Sequence, residues 1–303
     1  MLKEAVDTYL AIRRAAGFAL RDEALYLNGF VRFATTYGDT HVVTHTAIAW
    51  AEQAASESQR ATRLKAVIRL ARFSHVTDPR HEIPPHGVFA AHSRRPTPYL
   101  FSEDEVRALM TQAAQLGPVG SLRPHAYSTL LGLLAATGLR ISEALGLCFA
   151  DLTPDGLIIR QSKFRKSRLV PIHATTRAAL DQYLLQRRQL ASADAHLFLS
   201  LRQRPLRRLS VSHTFVHLLA AAGVPHQQGR RRPRLIDFRH TFASRALFTS
   251  AEGRDHIGRQ SVALMTYLGH AHVSSTFWYL ERSPQLLDEI AQACQHWMDK
   301  EGV

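Results

Sequence analysis

ATGLRISEAL, residues 136–145, is the stretch on which the reading of this 303-residue chain turns. An apolar helical run ends at Gly138, the residue type that most easily leaves a helix through a left-handed turn, and Arg140 opens the next helical segment. An arginine near a helix start can aim its planar fork at a phosphate oxygen, with the local dipole assisting. The alternative for the same residues is a surface ion pair between Arg140 and Glu143, three positions apart.

On the N-terminal side of this stretch, helices are expected over 102–116 and 123–137. Ser102 and Glu105 have capping-box spacing ahead of Val106 and Leu109. On its C-terminal side come two β-like runs, Gly156-Leu157-Ile158-Ile159-Arg160 and Arg168-Leu169-Val170-Pro171-Ile172. Between them lies a basic turn with Lys163, Arg165 and Lys166. A lysine there can enter a DNA groove and give a proton to a departing oxygen; the alternative is a solvated hairpin turn. After Thr175 the pattern is helical again, interrupted by basic stretches that include Arg207, Arg208, Arg231 and Arg232.

The first 90 residues form a separate helical module. Apolar residues recur at helical spacing before Gly17 and again before Gly38, a third helix is expected over 44–55 and a fourth over 58–76. The fourth carries Arg60, Arg63, Lys65 and Arg69 around its apolar positions, a candidate basic face. From Thr77 to Leu100 the periodicity stops and prolines gather together with Arg94 and Arg95. The stretch reads as a linker, with residues 91–100 between domains 1–90 and 101–303.

The 38 Lys and Arg against 25 Asp and Glu give a net charge of +13 and a pI near 10.4, a balance suited to a polyanionic partner. Nucleic acid leads. A membrane surface is disfavoured, because charges interrupt the N-terminus where a signal peptide needs its apolar run and no window nears ~18 apolar residues. A cytoplasmic protein is expected, with Cys148 and Cys294 as reduced thiols on apolar helix faces. No Cys/His metal spacing, P-loop or two-metal carboxylate cluster stands out, so no metal or cofactor is expected.

Two further segments carry chemistry: IDFRHTFAS at 236–244, and YLGHAHVSSTFWYL at 267–280, in which Tyr279 lies nine residues after His270. Taken in order with ATGLRISEAL and SKFRKSRLVPI (162–172), they resemble the tyrosine recombinase (phage integrase) family. The resemblance implies a mainly α fold with a small β-sheet: a SAM-like helical DNA-binding domain and a mixed α/β catalytic domain, forming a C-shaped clamp on double-stranded DNA. It makes Arg140 and Arg239 the pair that holds the non-bridging oxygens of the scissile phosphate. Lys163, with Lys166 as the close alternative, protonates the leaving 5' oxygen. His270 donates a hydrogen bond to the phosphate or assists proton transfer, and Tyr279 attacks phosphorus. Arg60, Arg63, Lys65, Arg69, Arg94, Arg95, Arg165, Arg168, Arg207, Arg208, Arg231 and Arg232 are then candidate DNA contacts.

The chain departs from the family pattern at Ile236, a position usually held by histidine, and isoleucine can donate no hydrogen bond. His240 is kept as a supporting residue, as is Glu143. The interval between Arg239 and His270 looks longer than usual, with residues 250–259 as the insertion. An amphipathic helix is expected over 284–300; in the resembled family such a segment packs into a neighbouring protomer of a tetramer, and packing on its own domain is the alternative. The expectation is a bacterial recombinase of a mobile element, acting by integration or transposition, with accessory or partner subunits as further candidate partners. Two alternatives stand beside it: a catalytically weakened DNA-binding subunit, and a type IB topoisomerase-like relaxing enzyme.

Overall fold

A computed structural model describes residues 1–89, 97–160, 167–190, 192–225, 231–248 and 262–269. The chain divides into two compact units, 1–95 and 96–303.

In the first unit, α1 (Leu2–Ala15), α2 (Arg21–Thr36), α3 (Thr44–Glu52) and α4 (Glu57–His75) pack around one core. α4 is capped by Ser56, whose hydroxyl accepts the Gln59 N–H. It buries Ala61, Leu64, Val67, Ile68, Leu70 and Ala71 against the other three helices. Its arginines are mostly engaged within the unit. Arg60 donates to the Ala54 carbonyl at 3.0 Å, Arg63 lies over the Trp50 ring, and Arg69 pairs with Glu23 at 2.8 Å. Only Lys65 of the four sits exposed with no such partner among the described residues.

The stretch after α4 behaves differently from a linker. Residues 77–89 fold back on the unit: Glu82 N–H donates to the Val42 carbonyl at 2.8 Å, and the Glu82 carboxylate accepts the Thr44 N–H at 2.7 Å. His81 is buried, and its Nδ1 accepts the Val42 N–H at 3.1 Å. That bond requires a neutral ring. Burial first, and His41 second, push its pKa below the ordinary histidine value. A folded pKa below the unfolded one gives stability that is complete above the unfolded value, about 6.5, and lost as the pH falls below it. The midpoint of thermal unfolding is therefore expected to drop between pH 7.5 and 5.5. In His81→Asn, whose amide oxygen can take the place of Nδ1 without titrating, that drop should shrink; an unchanged drop would contradict the reading.

The second unit is built on α6 (Leu122–Thr137), which packs against α5 (Glu103–Ala114), α8 (Ala174–Gln189) and α10 (Leu235–Phe248). Ser102 and Glu105 cap α5 reciprocally, as their spacing implies. α7 (Ile141–Leu145) follows Gly138, and α9 (Arg208–Ala221) and α11 (262–268) complete the described α-helices, with one 3-10 turn over Phe149–Asp151. The sheet is an antiparallel meander, β1 (Leu152–Thr153), β2 (Gly156–Ile159) and β3 (Arg168–Val170), with Leu157 opposite both Leu152 and Val170. Mainly α with a small sheet is the observed fold class. The two expected strands are present but shorter, and β1, two residues long, had no periodicity to announce it. Cys148 corrects its expectation: it lies half-buried in an isolated bridge to His196, not on a helix. Among the described residues no helix is long and apolar enough to cross a membrane.

The entry into this unit anchors α10. Phe101 stacks on Phe238 with ring centroids 4.6 Å apart, its N–H donates to Thr241 Oγ1, and its carbonyl accepts from Arg245. The ring next to Arg239 in sequence, Phe238, is thus held independently of the contacts of Arg239.

Candidate active site

Gly138 ends α6 at φ +60, and a Cβ there would lie 2.6 Å from the Phe242 ring. No other residue turns the chain so close to α10 without displacing it. Two residues later Arg140 begins α7, and Glu143 reaches back so that its carboxylate accepts the Arg140 N–H at 3.0 Å. Arg140 Nη1 donates to the other carboxylate oxygen at 2.7 Å. The ion pair weighed as a surface feature is real, but Glu143 is buried and only 4% of its side chain is exposed, against 23% for Arg140.

Arg239 is almost completely buried, at 2% exposure. Its Nη1 donates to the Gly138 carbonyl at 3.0 Å and its Nη2 to the Leu268 carbonyl at 2.6 Å. Gly138 lies two residues before Arg140, and Leu268 two before His270. One guanidinium therefore joins three of the four motif segments.

A second arginine makes a parallel connection. Arg168, the first residue of β3, places Nη1 and Nη2 on the two oxygens of Glu143 at 3.1 and 3.0 Å, and its Nε donates to the Tyr267 carbonyl at 2.7 Å. Its side chain is 12% exposed. Its nitrogens all donate within the protein, where the sequence expectation was a DNA contact. Gly269, at φ +66, lets α11 end against it, since a Cβ there would meet Arg168 Nη1 at 3.0 Å. Burial opposes ionisation of Glu143, but Arg168 and Arg140 outweigh it and hold the carboxyl at about 2.

Around this centre the remaining groups are neutral or structural. Burial, with Arg234 and Arg239 nearby, pushes His240 down to about 4, so its ring is uncharged at neutral pH. It stands 3.8 Å from Asp237 Oδ1. Asp237 is itself buried and accepts the Arg234 N–H at 2.7 Å. Burial pushes the Tyr267 phenol up to about 12. Ile236 occupies the first turn of α10, one turn before Arg239, half-buried.

Lys163, Arg165, Lys166, His270 and Tyr279 lie outside the described residues, as do Arg94 and Arg95, residues 250–259 and the expected helix over 284–300. Arg207, Arg208, Arg231 and Arg232 are exposed. The one cluster of metal-ligand types among the described residues, His41, Asp78 and His81, belongs to the first unit. Its geometry suits hydrogen bonding: His81 Nδ1 accepts a backbone N–H, His41 Nε2 faces Asp78 at 3.1 Å, and Arg80 holds both Asp78 oxygens. Sequence reasoning placed Arg168 among the DNA contacts, and it missed the carbonyls of Gly138, Tyr267 and Leu268 because backbone acceptors carry no residue signature.

The model of the phage integrase family matches residues 100–286, more than half of the chain. The chain belongs to that family. A putative integrase/recombinase, y4rB of Sinorhizobium fredii, is 38% identical over 98% of both chains. In fold, this integrase-family chain is similar to XerH site-specific recombinase in a post-cleavage complex with its difH substrate. The TM-score is 0.66 at 17% identity, covering 90% of this chain and 78% of that one. It is also similar to a lambda integrase tetramer bound to a Holliday junction, with a TM-score of 0.61 at 17% identity, covering 89% and 77%.

Proposed function

We propose that this chain is a site-specific DNA recombinase that breaks and rejoins strands through a phosphotyrosyl intermediate at Tyr279. The observation that carries the reading is Arg239, whose buried guanidinium ties the segment before Arg140 to the segment before His270. Arg140 and Arg239 stabilise the charge that develops on the non-bridging oxygens, a task suited to donors fixed before the reaction. Lys163, or Lys166, supplies the proton to the leaving 5' oxygen, and His270 donates to the phosphate. The phosphotyrosyl ester keeps the energy of the broken phosphodiester, so a DNA 5' hydroxyl suffices to reseal it. Exposed Arg207, Arg208, Arg231 and Arg232, together with Lys65 of the first unit, are suited to backbone phosphates, and binding should weaken steeply with salt.

Strand exchange through a Holliday junction asks for several protomers. A homo-tetramer coupled by residues 284–300 is the assembly this reading favours, and the lambda integrase tetramer supports it by likeness of fold. Ile236 offers no donor where the family usually has a histidine, so that contact is absent or supplied elsewhere, and its absence favours a slow enzyme or one helped by a partner subunit. The test is incubation of the chain with nicked duplexes from the flanks of its own gene. A covalent DNA adduct and exchange of strands between two labelled duplexes are expected. Relaxation of supercoiled plasmid with no site requirement, and no exchange, would instead favour a relaxing enzyme.

A further inference from the structure

We propose that Arg168 is a positioning residue for this reaction, acting on Arg140 through the buried carboxylate of Glu143. This rests on the recombinase reading above and adds a residue to it.

Both oxygens of Glu143 are fully occupied. Oε1 accepts from Arg140 Nη1 at 2.7 Å and from Arg168 Nη1 at 3.1 Å; Oε2 accepts from the Arg140 N–H and from Arg168 Nη2, both at 3.0 Å. Four donors fill one carboxylate, so it has no freedom to rotate. Arg168 is held in turn by the Tyr267 carbonyl on its Nε and by Gly269 packed against its guanidinium. β3, α7 and the end of α11 are thereby connected through a single side chain. Arg140 receives the benefit, since both its backbone and its guanidinium are attached to that carboxylate.

Charge acts alongside geometry. A lone Glu143 beside Arg140 would make a neutral pair and take away much of the field that Arg140 offers to an oxyanion. With Arg168 included, the trio carries one net positive charge, and the carboxylate divides its attraction between two cations. Arg140, the more exposed of the two, keeps cationic character toward the open side. Arg168 thus sets both the direction and the effective charge of Arg140 without touching DNA.

The test is single-turnover cleavage of a nicked duplex at saturating protein, where the rate constant reports the bound, folded complex and misfolded protein lowers only the amplitude. Arg168→Met is expected to cleave about 100-fold more slowly than wild type, the scale of a misplaced reacting group, with DNA affinity and its salt dependence unchanged. Arg168→Lys, which keeps the charge, should recover part of the rate. Arg168→Met with Glu143→Gln removes the unbalanced carboxylate and guards against a folding defect.

The decisive arm replaces one non-bridging oxygen of the scissile phosphate by methyl. That substrate is uncharged in the ground state and develops one negative charge where the natural phosphate develops two, so it asks less of Arg140 and the gap between wild type and Arg168→Met should narrow substantially. An equal gap on both substrates would mean that Arg168 is merely structural, and a loss of affinity at an unchanged rate would make it a DNA contact; either result overturns the inference. No adduct from the wild-type chain would overturn the recombinase reading itself, and the inference with it.

Discussion

Tyr279→Phe is expected to bind its DNA site with wild-type affinity and to yield no covalent adduct. The substitution removes one oxygen atom and leaves the ring, so binding, which rests on basic side chains and the fold, has no reason to change. The reaction has every reason to. A phosphodiester is cleaved here only if an oxygen nucleophile bonds to phosphorus as the 5' oxygen leaves, and phenylalanine offers none. The neighbouring Tyr267 is no substitute. Its ring stacks on Phe242 at 5.4 Å, and burial pushes its phenol up to about 12, which keeps it protonated. Gel-shift and denaturing-gel measurements on one preparation check both halves, and an adduct from Tyr279→Phe at wild-type yield would contradict the assignment.

The two arginines of the site should respond differently to removal. Arg140→Ala takes away a partly exposed guanidinium, and Glu143 retains Arg168, so the fold should lose little. Cleavage should fall by about 100- to 1,000-fold, the usual consequence of deleting one preorganised donor to a developing oxyanion. Arg239→Ala should slow cleavage at least as much and also destabilise the second unit. It leaves the carbonyls of Gly138 and Leu268 without this donor in the interior, at about 1–3 kcal/mol for each buried group left unsatisfied. For a domain of this size that lowers Tm by about 2–4 °C per kcal/mol. Single-turnover rates and calorimetry on the two variants separate these outcomes. Arg140→Ala cleaving at the wild-type rate would remove Arg140 from the reaction, and Arg239→Ala unfolding at the wild-type Tm would contradict the joining role of Arg239.

Much of this arrangement could be read from local pattern. Ser102 with Glu105, Gly138 after a long apolar run, and the strands on either side of the basic turn are all governed by residues a few positions apart, and each appears where expected. What escaped is long-range. Nothing local about Arg168 distinguishes a strand residue aimed at DNA from one whose partners lie 25 and 99 positions away. The same holds for residues 77–89, whose prolines read as a linker although Glu82 and His81 bond to Val42 and Thr44. Arg60, Arg63 and Arg69 show the same limit from the other side. Position on a helix revealed their charge but not the carbonyls, ring and carboxylate that hold them. The motifs singled out Arg140 and Arg239, but nothing local announced their very different burial.

The most direct test of the central claim is to trap the covalent complex on a nicked duplex, digest both components and map the peptide that retains a nucleotide. The account predicts the remnant on Tyr279 and nowhere else. A remnant on Tyr267 or another side chain, or cleavage of the duplex with no protein-bound nucleotide, would contradict it.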